Sequence, residues 1–204
     1  MNLKYKYWYF QKALSDKFCD EVVAYGNQQR EEIGFVGNIN NSNFKTLDKK
    51  TKKFFNKKRT SNVSWLDDPW IMKEVLPFVN EANKSAGWNF QLEGCETAQF
   101  TKYKINQFYD WHFDENIEPY KNGTIRKLSV TCSLSDPNDY EGGRLQFDYR
   151  DADKVSNKNF ITCEEILPKG SIVVFPSFIW HRVMPVTKGT RYSLVIWNLG
   201  RPYI

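Results

Sequence analysis

The chain has two histidines among its 204 residues. The first, in "YDWHFDENIEPY", is His112, and Asp114 follows two places later. On a β-strand, residues i and i+2 face the same side, so this triplet can aim an imidazole and a carboxylate at one point while Phe113 packs behind them. The second, His181, lies on an apolar strand-like stretch, "FPSFIWHRVMPVTKGTRYSLVIW". A lone histidine in such a stretch is ordinarily a core or surface residue, and an H-x-D triplet alone is weak evidence. Here both histidines of the chain take part. Two imidazoles and one carboxylate on one face of an octahedron suit a non-haem Fe(II) that keeps positions open for other ligands. The same donors suit zinc, so their identity does not select the metal. Arg191 comes ten residues after His181, across "PVTKG", among the core-like Tyr192, Leu194, Ile196 and Trp197. A guanidinium in such surroundings needs an anion. A bidentate clamp on a carboxylate satisfies it, as would a structural pair with Asp148 or Glu141.

The elements that must position these residues change in texture along the chain. In the first third, Ser15 reads as the N-cap of a helix through "DKFCDEVVAYGNQQREE", with Phe18, Val22 and Val23 at helical spacing. Asp68 and Pro69 open a second helix, which Pro77 is expected to kink or end early. Between them, residues 34–60 read as loop with one or two short strands. From about residue 91, short Val-, Ile-, Thr-, Phe- and Tyr-rich segments alternate with turn clusters such as Asp136-Pro137, Gly142-Gly143 and Lys188-Gly189. Eight strands are expected, in 96–104, 108–114, 127–135, 143–149, 159–167, 170–177, 180–186 and 190–200. That pattern predicts a mainly β fold with flanking helices: a jelly-roll core over 91–200, with 1–90 as mostly helical support and variable loop, in one domain spanning 1–204.

Composition narrows the setting. No apolar run is long enough to span a membrane, and "MNLKYKYWYFQKALSDKF" has neither an apolar h-region nor a small-residue cleavage site. A cytoplasmic location is expected, that of the host for a viral protein. Cys19, Cys95, Cys132 and Cys163 show no C-x-x-C spacing and read as free thiols. The net charge of +5 is concentrated in "KTLDKKTKKFFNKKR", residues 45–59, with eight bases against one acid. That segment reads as a solvated mobile loop, or as one that contacts an acidic partner or covers a substrate. Nucleic-acid binding finds no supporting fold pattern.

The motifs together resemble a known family. "LSDKFCDEVV", "YKINQFYDWHFDE", "LSVTCSLSDPNDYEGGRLQF" and above all H-R-V-x-P-V-x-x-G-x-R, residues 181–191, are similar to the 2-oxoglutarate- and Fe(II)-dependent dioxygenases of the prolyl 4-hydroxylase-like branch. They look most like the bacterial and phage PKHD-type hydroxylases, and the likeness covers most of the chain. It implies a double-stranded β-helix core with helices packed on one sheet. It implies that His112, Asp114 and His181 bind iron and that Arg191 holds the distal carboxylate of 2-oxoglutarate. Tyr103 matches a tyrosine that bonds the same carboxylate, and Trp197 an aromatic lining that pocket. O2 is the other cosubstrate, and relatives often use ascorbate to rescue oxidised iron. A carboxylate at position 114 favours hydroxylation, because halogenating relatives lack it. The implied activity is hydroxylation of a protein or peptide residue, proline among the candidates, with release of succinate and CO2. The alternatives are the same chemistry on a small molecule or free amino acid, a nucleic-acid-directed oxygenase, and a non-catalytic metal-containing binding module. Residues 34–60, where relatives carry a lid, and "YRDADKVSNKNF" depart from the family pattern.

Overall fold

The computed structural model describes residues 3–34, 46–148 and 160–203. Most of 34–45 and of "YRDADKVSNKNF" therefore lies outside the described residues.

A large antiparallel sheet forms the backbone of the fold. It contains β1 (Trp8–Phe10), β2 (Glu32–Ile33), β3 (Asn62–Leu66), β4 (Gly94–Cys95), β5 (Ala98–Tyr103), β7 (Ile125–Ser133), β11 (Ile172–Pro176) and β14 (Arg191–Gly200). Its order is β1-β11-β7-β14-β5-β3-β2, with β4 paired to β14. A smaller sheet faces it, built from β6 (Tyr109–His112), β9 (Leu145–Asp148), β10 (Phe160–Thr162) and β12 (Trp180–Val183) in the order β10-β9-β12-β6. A third pair joins β8 (Tyr140–Gly142) to β13 (Val186–Gly189). This is a mainly β jelly-roll with helices on one sheet.

Alternation sorts the side chains of the large sheet. Phe100, Leu128, Val130, Cys132, Ile172, Val174, Leu194 and Ile196 pack outward against α1 (Asp16–Gln28) and α3 (Pro69–Ser85), where Phe18, Val22, Ile71, Val75 and Val79 meet them. The opposite parity turns inward. Tyr103, Val173 and Phe175 there join Leu145, Phe147 and Val183 of the small sheet in a second core. The inward face is also polar: Gln99, Thr101, Ser129, Thr131, Ser133, Arg191 and Ser193 are all buried on it. An interior that is half hydroxyl and guanidinium is built to receive a polar guest.

Several local expectations hold. The Ser15 side chain accepts from the Phe18 N–H at 3.1 Å, capping α1. All eight strand-like segments after residue 91 contain strands, and the four cysteines are free thiols, three of them buried. Others need correction. Helix α3, opened by Asp68 and Pro69 as expected though without a side-chain cap bond, runs through Pro77 to Ser85 instead of ending early. The buried stripe Ile71, Val75, Val79, Ala82 continues on both sides of the proline, and that packing outweighs the lost backbone bond. The first third is not only helical support, since β1, β2 and β3 complete the large sheet. "PVTKG" is not a bare turn but mostly strand β13, and within the basic segment α2 (Lys49–Asn56) is a helix. Among the described residues, no helix is long and apolar enough to cross a membrane.

Candidate metal centre

Strands β6 and β12 pair with His112 and His181 directly opposite each other. Pairing therefore brings two residues 69 positions apart in sequence to a ring-centroid separation of 4.1 Å. Asp114 lies just beyond β6, not on it. Its N–H donates to the Ser177 carbonyl at 2.8 Å, and Glu115 N–H donates to the same oxygen at 3.0 Å. This clamp turns the chain so that the carboxylate meets both rings. Phe113 does not pack behind the pair; it is 37% exposed and contacts Trp180 edge-on at 5.2 Å.

Each imidazole spends one nitrogen on the backbone. His112 Nδ1 lies 2.8 Å from the Asp110 carbonyl, and His181 Nδ1 lies 2.9 Å from the Ile179 carbonyl. A carbonyl only accepts, so both rings donate Nδ1–H to the backbone and turn Nε2 toward the carboxylate. Those two Nε2 atoms stand 3.6 and 3.5 Å from the two Asp114 carboxylate oxygens. One ligand atom from each residue falls within 4.8 Å of the others. The protonation states suit a cation. Burial, with His181 and Arg59 nearby, holds the His112 pKa well below the ordinary histidine value. Burial alone would raise Asp114; His181, His112, Arg126 and the Trp197 indole outweigh it and hold the carboxyl at about 2. The buried Asp114 carboxylate carries negative charge that a divalent metal would neutralise.

Two supports flank the triad, neither visible from sequence spacing. On one side the Tyr109 ring stacks on His112 at 3.4 Å between centroids, and the Arg59 guanidinium covers the other face of the same wall, 4.5 Å from the Tyr109 ring. Arg59 is 6% exposed and donates to Ser61 Oγ at 2.6 Å. On the other side Arg126 forks onto Glu96, with Nε and Nη2 each 2.6 Å from a carboxylate oxygen. The same guanidinium lies 3.9 Å over the Trp197 ring. Trp197 N–H is directed toward Asp114 and helps depress its pKa, yet it makes no hydrogen bond to a protein atom. These contacts join residues from five separate stretches of the chain, so no local motif announces them.

Arg191 opens β14 opposite Tyr103 on β5. It is 2% exposed, donates to Ser193 Oγ at 3.2 Å, and stands 5.5 Å from the Tyr103 ring. Among the described residues no carboxylate pairs with it. Glu141, one of the two acids the sequence offered, is instead 3.0 Å from Lys188. Arg191 and Trp197 lie on the same inward face of β14, which presents a buried cation without an acid.

Comparison with known proteins places this geometry. The profile described as "2OG-Fe(II) oxygenase superfamily" matches residues 98–198, a span that holds His112, Asp114, His181 and Arg191. The PKHD-type hydroxylase YbiX of Escherichia coli O157:H7 is 38% identical over 103 residues, covering 50% of this chain and 41% of YbiX. The matched region is thus less than half the length of that relative. Among solved structures, a prolyl-4-hydroxylase of Pseudomonas putida superposes with a TM-score of 0.65 at 18% identity, covering 98% of this chain and 95% of that one. The viral collagen prolyl hydroxylase of Paramecium bursaria Chlorella virus-1, in its 2OG complex, gives 0.64 at 17% identity and 97% of both chains. A prolyl hydroxylase of Trichoplax adhaerens, in complex with a hypoxia inducible factor peptide, gives 0.62 at 16% identity, with 96% of this chain and 84% of that one covered. The structural likenesses establish the fold, and the profile matched across the metal-competent strands establishes the lineage: the chain belongs to the 2OG-Fe(II) oxygenase superfamily.

Proposed function

We propose that the protein is an Fe(II)- and 2-oxoglutarate-dependent hydroxylase acting on a residue of a protein or peptide, with proline as the leading target. The observation that carries the reading is the triad itself: His112, Asp114 and His181 offer two imidazole nitrogens and a carboxylate oxygen within 4.8 Å. Three protein ligands leave room for a chelating cosubstrate and for O2. When bound, Fe(II) with 2-oxoglutarate and O2 supplies the oxidation that converts a C–H bond to an alcohol, with succinate and CO2 as coproducts.

The chain's own residues supply everything else. His112, Asp114 and His181 hold the metal, and the Asp110 and Ile179 carbonyls keep the rings turned toward it. Arg191 binds the far carboxylate of 2-oxoglutarate, with Tyr103 facing it across the strand pair and Ser193 steadying the guanidinium. A clamp at that end fixes the pose of the keto acid. Trp197 closes the pocket beside Asp114, and Phe147 and Phe175, 6.3 and 4.7 Å from His181, keep water from its back. The peptide target draws support from the structural relatives, which include a collagen prolyl hydroxylase and one bound to a peptide.

The test is an anaerobic titration of the Fe(II)-loaded protein with 2-oxoglutarate, followed by visible absorption. A saturating metal-to-ligand charge-transfer band is expected. Metal that binds without giving the band would mean no chelate forms, and a structural metal role would replace this reading.

A further inference from the structure

The charge of this protein is unevenly placed. Of 29 basic and 24 acidic residues, eight and one fall in 45–59, which leaves 21 bases against 23 acids elsewhere. The segment thus carries the whole positive excess, and the remainder of the chain is slightly acidic. Such a field steers association and selects partners.

Its place in the fold gives the field a direction. Asp48 caps α2, accepting from Lys50 N–H at 2.8 Å and Thr51 N–H at 3.0 Å. The helix presents Lys49, Lys50 and Lys53 as exposed side chains, and Lys57 follows in the turn. Among the described residues none of these four has a carboxylate partner. The chain then joins the wall of the metal centre. Asp110 N–H donates to the Lys58 carbonyl at 2.8 Å, and Thr60 N–H donates to the Phe108 carbonyl at 3.1 Å. Arg59 bridges to Tyr109, whose ring stacks on His112. An eight-residue helix is about 12 Å long and the three residues to Arg59 span at most about 10 Å, so the free lysines stand within about 22 Å of the strand that bears a metal ligand.

We propose that α2 and the turn after it form the substrate-docking surface of this enzyme, and that the substrate is a polypeptide with acidic residues beside the hydroxylated position. The proposal rests on the hydroxylase reading above and names its substrate class. Polypeptide is favoured over nucleic acid because the positive excess is confined to this one segment. Asp110 and Glu96, the acids beside the triad, are already paired with Lys58 and Arg126, and outside 45–59 the chain carries 21 bases against 23 acids. A continuous phosphate backbone would find no basic track beyond the segment, whereas a peptide needs acids only where it meets the lysines. A peptide also supplies a short side chain able to enter the buried triad.

The test is a fluorescence-anisotropy comparison of three labelled probes. These are an unstructured peptide with one proline flanked by aspartates, the same peptide flanked by lysines, and a single-stranded oligonucleotide of similar length. Each is titrated with the protein loaded with Fe(II) and 2-oxoglutarate under anaerobic conditions, at low and high salt. The acidic peptide is expected to bind at least tenfold more tightly than the basic one, with the difference collapsing at high salt. The variant carrying Lys49→Glu, Lys50→Glu, Lys53→Glu and Lys57→Glu is expected to reverse the order while keeping the charge-transfer band. Equal binding of the two peptides, or a preference that survives charge reversal, overturns the proposal. Tighter binding of the oligonucleotide than of the acidic peptide also overturns it and makes the segment a nucleic-acid surface. Absence of the band in the unaltered protein would count against the hydroxylase reading instead, and the anisotropy data would still report on the surface.

Discussion

Arg191 is a buried cation with no carboxylate partner among the described residues. It is 2% exposed, and its nearest polar partner is the neutral Ser193 hydroxyl. Arg191→Ala is therefore expected to raise the 2-oxoglutarate concentration needed to half-saturate the charge-transfer band about tenfold to a hundredfold, the worth of a charge-assisted hydrogen bond. Fe(II) binding measured without the keto acid should be unchanged; a matching loss there would assign Arg191 a structural role. His112 allows a second expectation. Burial holds its folded pKa well below the ordinary value, so in the metal-free protein the unfolded chain binds a proton that the folded one refuses. Stability should then fall as pH drops below about 6.5, at up to about 1.4 kcal/mol per pH unit. Asp114 has the other sign of charge but the same direction of loss. Its carboxyl is held at about 2, so its contribution is intact above about 3.8 and disappears as pH falls toward the folded value. Urea midpoints of metal-free protein between pH 7.5 and 5 test the histidine effect, and in His112→Gln the slope over that window should flatten.

Helix α1 meets the large sheet through a glycine. A Cβ at Gly26 would lie 2.5 Å from the Phe100 ring, and that ring is buried and stacked on Tyr192 at 5.7 Å. Helix propensity alone favours alanine over glycine by about 1 kcal/mol. Overpacking a fixed ring costs about 1–3 kcal/mol, so Gly26→Ala should destabilise, read as a lower denaturation midpoint with α-helical content retained. An increase in the midpoint would show that Phe100 can move aside. The same contrast between local and tertiary effects decides what could be read from the sequence. The strands after residue 91 were legible because period-two alternation persists between turn residues. β3 was not, because "NVSWL" is short, carries Asn and Ser, and follows a lysine-rich run. β8 and β13 hide among glycines with positive φ, Gly142 at 77° and Gly189 at 69°, and exist only through pairing with each other. The histidines were legible because the chain has just two. The Arg59–Tyr109 and Arg126–Trp197 stacks were not, because their partners are joined across strands.

At the scale of the whole molecule, the two sheets are unequal. The large sheet is backed by two helices and a long apolar cluster, whereas the small one has four strands and shares a smaller core with its neighbour. The triad spans the weaker part. His112 ends edge strand β6, His181 sits on β12, and Asp114 starts the loop tied to Ser177 just after β11. A metal held by all three ties the loop after β6 to the β6–β12 pair, where the metal-free protein concentrates a buried negative charge. Binding to the folded state alone adds stability as RT ln(1 + [metal]/Kd), about 2.7 kcal/mol at a hundredfold excess over Kd. For a chain of this size each kcal/mol moves the melting temperature by about 2–4 °C. Anaerobic Fe(II), or Mn(II) as a redox-stable stand-in, should therefore raise it by about 5–10 °C. Asp114→Ala leaves two imidazoles without their anion, so the rise should vanish in that variant. If the variant is stabilised as much as the unaltered chain, the metal binds elsewhere and not at this triad.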